Sequence, residues 1–582
     1  QINLLKEIVM TKRSIFVYLL YIITIYLVSI IFIIFSANAE QTDTKEPFDI
    51  WAEDSLVPIN ENDTEEDVKI DENTESKSAV KESDFSYSRK DSLGLIDISN
   101  GGFDTTLWNG SSYSDIEYLI NSLPEVSYSS TLRELLVNSL LTIATPPKYN
   151  LESTQSYLDL KINFLASKGY FEEIYLLSTL MNEDEINEQI LGNIEKYFLI
   201  SGNYKRICNR DVTYFSDYFN DLYYTSFCNA MNSNLLALDL NISLMREETK
   251  HEKEYIELLI SLLNDELTNA NEIGDISLIK LNLLKNEKIN YDNLIKEDAD
   301  IEYKLFYVLS SQDSNLKKIN ITETLLELGL LDLSYLADFY KDYKFENDNE
   351  KNITLENRIS IYQEIRKTAS QEKIVKLIPK FIDIFSKQGF LNKASTLIYD
   401  KVKVITPKQN LVAESLDVCL ILILNKDLDK CKEWLNVINY KDDYKILMAK
   451  IKFYLFLNSD ISFSLDELEI LLEDKKLSSK QKNIIVKYYE LMTDEKISNY
   501  WKTPNDLNRV SSVITNVKLD EYLKSLDNQI GEMILLLNLI HGDQKFINLH
   551  ETTIFTIIEG LINIDPVYAN QYVFEYLTKD TL

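Results

Sequence analysis

Glycine and proline are scarce, at 13 and 9 of 582 residues. That is roughly a third of their usual share. Chains built from many short strands need both as turn punctuation. A β-sandwich, a propeller and a collagen-like rod are therefore disfavoured, and a mostly helical chain is expected. Histidine is rarer still, with only His251, His541 and His550. None falls in H-E-x-x-H spacing and no C-x-x-C occurs, so no zinc site is expected. His541 and His550 bracket Gly542-Asp543, where a metal could be held only with help from Asp543. Positive charge is in deficit: 60 Lys and Arg stand against 93 Asp and Glu, a net charge of -33. No local basic patch interrupts that excess along the chain. Nucleic acid and anionic lipid surfaces are thus not expected as partners. No G-x-S-x-G nucleophile elbow is present, and no cofactor is expected. The apolar fraction of 45% is nevertheless ample for a core.

One long apolar run does occur, at the amino end. Met10 reads as the natural start, with residues 1–9 as upstream translation or a fragment edge. Lys12 and Arg13 precede a charge-free stretch from Ser14 to Phe35. Ser36-Ala37-Asn38-Ala39 follows, and small residues at 37 and 39 fit a signal-peptidase site ahead of Glu40. The run is also long enough to span a bilayer. Residues 1–39 are therefore a cleaved signal peptide or a retained anchor. Either way the body is exported, with periplasmic localisation expected and inner-membrane anchoring as the variant. Cysteine first appears at Cys208, which excludes lipid attachment at a cysteine near the signal.

Residues 40–92 carry 17 acids and 6 bases. A segment this polar cannot bury enough surface to offset its ordering entropy, so a disordered acidic spacer is expected. Gly94, Gly101, Gly102 and Gly110 then cluster in a short stretch. Their spacing fits neither G-x-G-x-x-G nor G-x-x-x-x-G-K-[ST]. The reading is an irregular strap that packs Phe103, Leu107 and Trp108 on the first helices.

From Ser114 the apolar spacing is helical. Ile116, Leu119, Ile120 and Leu123 share one face, and Leu132, Leu135, Leu136 and Leu140 share another. Pro146-Pro147 stops the second helix, and no proline follows until Pro379. Short glycine turns followed by an aromatic recur at Gly169-Tyr170, Gly202-Asn203-Tyr204 and Gly389-Phe390. These resemble the turn inside a tetratricopeptide-like hairpin. The fold class expected is all-α: an α-solenoid of degenerate tetratricopeptide-like hairpins, about a dozen in all. The polar run Glu346–Asn352 divides it into lobes at 93–345 and 346–582.

Four cysteines in an exported chain make disulfides possible. Cys419 and Cys431 lie 12 apart across a polar turn, the spacing of closest contact in such a hairpin. Cys208 and Cys228 fall at the same end of neighbouring antiparallel helices. Bridges Cys208–Cys228 and Cys419–Cys431 are expected from among three pairings. Chemistry is otherwise thin. Glu152-Ser153 and Glu414-Ser415 are the pairs a lytic transglycosylase would use, but neither leads into a glycine-rich catalytic stretch. Phe215, Tyr218, Phe219, Tyr223 and Tyr224 form a dense aromatic patch, read as core rather than as a ligand platform.

Several segments together resemble a family of exported alphaproteobacterial proteins of unknown function. They are Gly94 to Gly110, Leu132 to Pro147, Phe227-Cys228-Asn229-Ala230 to Met245-Arg246-Glu247, and Ile530-Gly531-Glu532-Met533 through Ala569. Some members of that family carry an antifreeze-glycopeptide label, which no Ala-Ala-Thr repeat supports here. The resemblance implies no catalytic residues. The functional expectation is an exported α-solenoid that binds or scaffolds other cell-envelope proteins, without catalysis. The alternative is an envelope enzyme acting on peptidoglycan through carboxylates.

Overall fold

The computed structural model describes residues 89–580 except 150–154, 210–217, 249–251, 265, 267–274, 311–314, 346–352, 388, 439–443, 460, 494, 496, 498–525 and 527–528. The signal residues Ala37, Ala39 and Glu40, the acidic spacer up to residue 88 and the run 346–352 lie outside the described residues. So do His251, Glu152, Ser153 and Phe215.

The described chain is all-α, with 24 α-helices and no sheet. In order they are α1 Tyr113–Asn121, α2 Ser130–Leu141, α3 Tyr157–Ser167, α4 Phe171–Ser178, α5 Glu188–Ile200, α6 Lys205–Cys208, α7 Leu222–Met231 and α8 Leu235–Glu247. Then come α9 Lys253–Leu263, α10 Leu278–Asn286, α11 Ile301–Ser310, α12 Leu316–Glu327, α13 Leu333–Asp342, α14 Ile353–Lys367, α15 Gln371–Ser386 and α16 Leu391–Val402. The last are α17 Ser415–Leu424, α18 Leu428–Val437, α19 Lys445–Phe456, α20 Leu465–Leu472, α21 Ser479–Thr493, α22 Ile530–His541, α23 Glu551–Ile564 and α24 Pro566–Asp580.

Local chemistry starts and stops these helices. Ser112, Ser129, Ser156 and Ser277 each accept a backbone N–H from the first turn of the helix they precede. Ser464 and Glu467 complete a reciprocal capping box at α20. Such caps satisfy amides that the helix itself leaves open. Pro379 sits inside α15, which continues through it with Ile378, Phe381, Ile382 and Phe385 fully buried. Burial along that face outweighs the backbone bond that proline removes.

Packing follows the pattern of a helical-repeat array. Neighbours pack as pairs, as in α4 on α5, α7 on α8, α14 on α15 and α17 on α18. Some helices also touch the next but one, as in α14 on α16, α15 on α17 and α17 on α19.

The array does not stay open. Residues 84–582 form one compact unit, in which α22 packs on α1 and α2, and α24 packs on α2. The strap at 103–110 belongs to this junction. Leu107 and Trp108 are buried, and the Leu107 carbonyl accepts the Gly531 N–H of α22 at 3.0 Å. Trp108 lies edge-on to Tyr157 of α3 and flat enough on Gly531 that a Cβ there would stand 2.4 Å from its ring. Phe103 packs near Tyr568 of α24. The strap therefore rests on the last helices as well as the first. Glycine at 531 is needed for this approach, a constraint that local periodicity does not contain.

The second clasp is polar. Glu575 of α24 is buried beneath the amino end of α2. It accepts Ser129 Oγ at 2.9 Å, Ser130 N at 2.6 Å, Ser130 Oγ at 2.7 Å and Thr131 N at 3.1 Å. Lys579 pairs with it at 2.9 Å. Burial would raise this carboxyl, but Lys579 and the Ser130 donors hold it down at about 2. Asn538 of α22 donates to the Leu132 carbonyl at 3.1 Å.

The cysteines divide into two kinds. Cys208, ending α6, is bonded to Cys228 in α7. The expected bridge between Cys419 and Cys431 is not formed: both are free, fully buried thiols on α17 and α18. The 12-residue spacing does bring them together, but Cys419 Sγ lies 3.6 Å from the Cys431 carbonyl and contributes packing rather than a covalent link. Burial pushes the Cys419 thiol well up, so it stays protonated and unreactive. Labelling of denatured, unreduced protein is therefore expected to find two thiols. Native protein is expected to give none, and reduced, denatured protein four.

Candidate functional site

Closure turns the inner face of the array into walled cavities. One holds about 600 Å³ and is bounded by the 126–130 loop, α2, α12, Arg358 of α14, the α15–α16 turn, the 545–547 loop and α24. A second of about 510 Å³ lies beside it and shares Val126, Ser127, Arg133, Thr324 and Leu328.

The larger cavity is cationic. Arg133, Arg358, Lys387, Lys393, Lys545 and Lys579 line it, against Glu323 and Glu327. The chain as a whole has the opposite balance. No basic patch exists along the sequence because these cations come from five separate segments that only the tertiary structure assembles.

Several of the cations are fixed by the fold. Arg358 is bidentate on Glu323 of α12, with Nε 3.0 Å from Oε1 and Nη2 2.6 Å from Oε2. Tyr340 donates to the same carboxylate. A planar fork matched to a carboxylate holds the guanidinium plane rigidly. Arg133 donates to the Ser127 carbonyl at 2.9 Å and to the Glu327 carbonyl. Lys579 donates to the Tyr128 carbonyl at 2.9 Å besides its bond to Glu575. Lys545 lies over the Tyr128 ring. Lys387, Lys393 and Lys545 are exposed at the rim. Burial lifts the Glu327 carboxyl above its ordinary range, against the pull of Lys579. That weakens one of the two acids in the wall.

A separate cleft of about 400 Å³ lies between α5, α7, α10 and α11. Glu195 lines it, accepts the Tyr224 hydroxyl at 2.8 Å, and is pushed by burial to about 7. Glu302 lines the same cleft and pairs with Lys196 at 2.8 Å. Tyr224 belongs to the aromatic patch expected as core. Phe219 is buried, while Tyr218, Tyr223 and Tyr224 are half-buried and pack on one another and on Tyr255.

The remaining sequence candidates fall elsewhere. His541 is fully buried against Phe546, and burial lowers its basicity. His550 caps α23 by accepting the Thr552 N–H. Among the described residues no cluster of His, Cys, Asp and Glu could hold a metal. Glu414 precedes α17, and Ser415 is buried.

One outer surface stands apart. Leu235, Leu236, Leu240 and Leu244 of α8 are exposed by 51%, 89%, 61% and 43%. Three of them recur at four-residue spacing on one face, while Leu238, Ile242 and Met245 bury the other. Among the described residues no helix is long and apolar enough to cross a membrane.

Fold and site together define an all-α, repeat-like protein whose first and last described helices are clasped and one of whose cavities is lined mainly by cations. No family model, curated protein or solved structure matches the chain.

Proposed function

We propose that the chain is an exported α-solenoid of degenerate tetratricopeptide-like hairpins that binds or scaffolds other cell-envelope proteins. The observation that carries the reading is the uncovered leucine face of α8. Contiguous exposed apolar surface of this kind marks contact sites more often than it is left bare, and an amphipathic helix of a partner is its natural complement. Export is supported by the apolar run with its Ala37 and Ala39 site ahead of Glu40, and by the Cys208–Cys228 bond, which persists in oxidising compartments. The test is site-specific crosslinking from position 240 in the native envelope. A discrete partner adduct is expected. Leu236→Glu with Leu240→Glu should abolish it while leaving the circular dichroism spectrum unchanged. An adduct that survives those charges, or none at all, would refute the reading.

A second reading, carboxylate catalysis on peptidoglycan, is favoured by one observation. Glu195 at about 7 is suited to hold a proton at neutral pH beside the ion-paired Glu302. Its signature is release of soluble fragments from peptidoglycan that Glu195→Gln abolishes. The absence of such release would dismiss it.

A further inference from the structure

We propose that the 600 Å³ cavity is a binding site for the phosphoryl group of a small soluble solute, with Arg358, Ser386, Lys393 and Lys545 as its receptor groups. Three independent observations converge on it. The first is charge. Six cationic lining residues face two acidic ones; Glu323 is committed to Arg358 on both oxygens, while Glu575 and Asp383 outside the wall pair with Lys579 and Lys387. Arg133, Lys393 and Lys545 still outnumber Glu327 there, a local surplus of positive charge that attracts an anion in a chain of net charge -33.

The second is unmet hydrogen bonding. Arg358 and Ser386 both belong to the wall and are 4% and 2% exposed. Arg358 Nη1 and Ser386 Oγ are buried with no hydrogen-bond partner among the described residues. Buried donors are rarely left this way, and a guanidinium edge plus a hydroxyl is what a phosphoryl oxygen accepts from. The third is the start of α16. Asn392 and Lys393 of its first turn line the same wall. No side chain caps this 12-residue helix, and no acid sits in its first turn. The amides there carry the positive end of the helix dipole. Gly389, at φ 72, turns the chain into it and leaves open space where a Cβ would stand.

The volume suits a small molecule rather than a polymer. The guanidinium fork and the helix terminus favour a tetrahedral oxyanion over a lone carboxylate.

The experiment is calorimetric titration of the full chain with inorganic phosphate at constant ionic strength, with citrate and vesicles containing phosphatidic acid as parallel titrants. Saturable one-to-one binding of phosphate with Kd below about 1 mM is expected. Lys393→Gln with Lys545→Gln should weaken it by about tenfold or more. Both side chains are exposed, so the fold should survive, as the unchanged unfolding midpoint will show. Lys253→Gln with Lys432→Gln removes two charges elsewhere and should leave the affinity unchanged. Equal weakening by both double variants would reduce the effect to net charge and overturn the proposal. So would citrate binding as tightly as phosphate, vesicle binding without phosphate binding, or no saturable phosphate binding at all.

Discussion

Glu575→Ala is expected to destabilise the closed array by about 3–5 kcal/mol, the usual cost of removing one partner from a buried ionic cluster. The substitution strands Lys579 and withdraws four acceptor contacts from Ser129, Ser130 and Thr131. Glu575→Gln keeps the shape and some of the bonds, so its loss should be about half as large. Hydrogen exchange locates the effect: amides of α1, α2, α22 and α24 should lose protection, while those of α14 and α15 should not. The same carboxylate makes the clasp acid-labile. Its folded value of about 2 lies below the ordinary 4.5. The associated stability is therefore fully present above about pH 4.5 and is lost as the pH falls towards 2, a change of about 3 kcal/mol. Denaturant midpoints followed from pH 6 to pH 2.5 should fall more steeply in the parent than in Glu575→Gln. Parallel curves would remove Glu575 from this role.

The second large effect is at the strap. Trp108→Ala should cost about 3–5 kcal/mol, since it empties a fully packed site between α3 and α22. Gly531→Ala should cost about 1–3 kcal/mol, because its methyl meets the indole at 2.4 Å and the ring must move. The double variant tests whether the two effects share one cause. Without the ring, the added methyl has room. The combined loss should then fall short of the sum by about 1 kcal/mol or more. Strict additivity in urea unfolding would show that the glycine serves some other purpose.

Much of the helical architecture was legible along the chain because its determinants are local. The leucine and isoleucine spacing in α1 and α2 is a matter of turns per residue. The glycines at 169, 202 and 389 all adopt the positive φ that their turns require. The Cys208–Cys228 geometry depends on two adjacent short helices. What could not be read depends on distance. Ser129 and Glu575 are 446 residues apart, and nothing near either announces the other. Ser129 reads as an ordinary helix cap, which it also is. Arg133, Arg358 and Lys545 each have an acid within two residues in sequence, so the cationic cavity is invisible until the ends meet. Cys419 and Cys431 mark a middle case. Their proximity is local and was foreseeable. Whether two adjacent sulfurs bond or merely pack is decided by side-chain orientation, which spacing does not encode.

The clasp between strap and last helices also has a temporal side. In an open repeat array each unit is stabilised by its immediate neighbours, so folding can start anywhere and spread. Here α1 and α2 find their partners only after about four hundred further residues have emerged, and contacts of such separation form slowly. During synthesis, amino end first, Leu107, Trp108 and the face of α2 wait uncovered while the middle of the array assembles. That interval is when an exposed apolar surface is open to misassembly or to a holding chaperone. The finished protein depends on a seam that is the last part of it to be sewn.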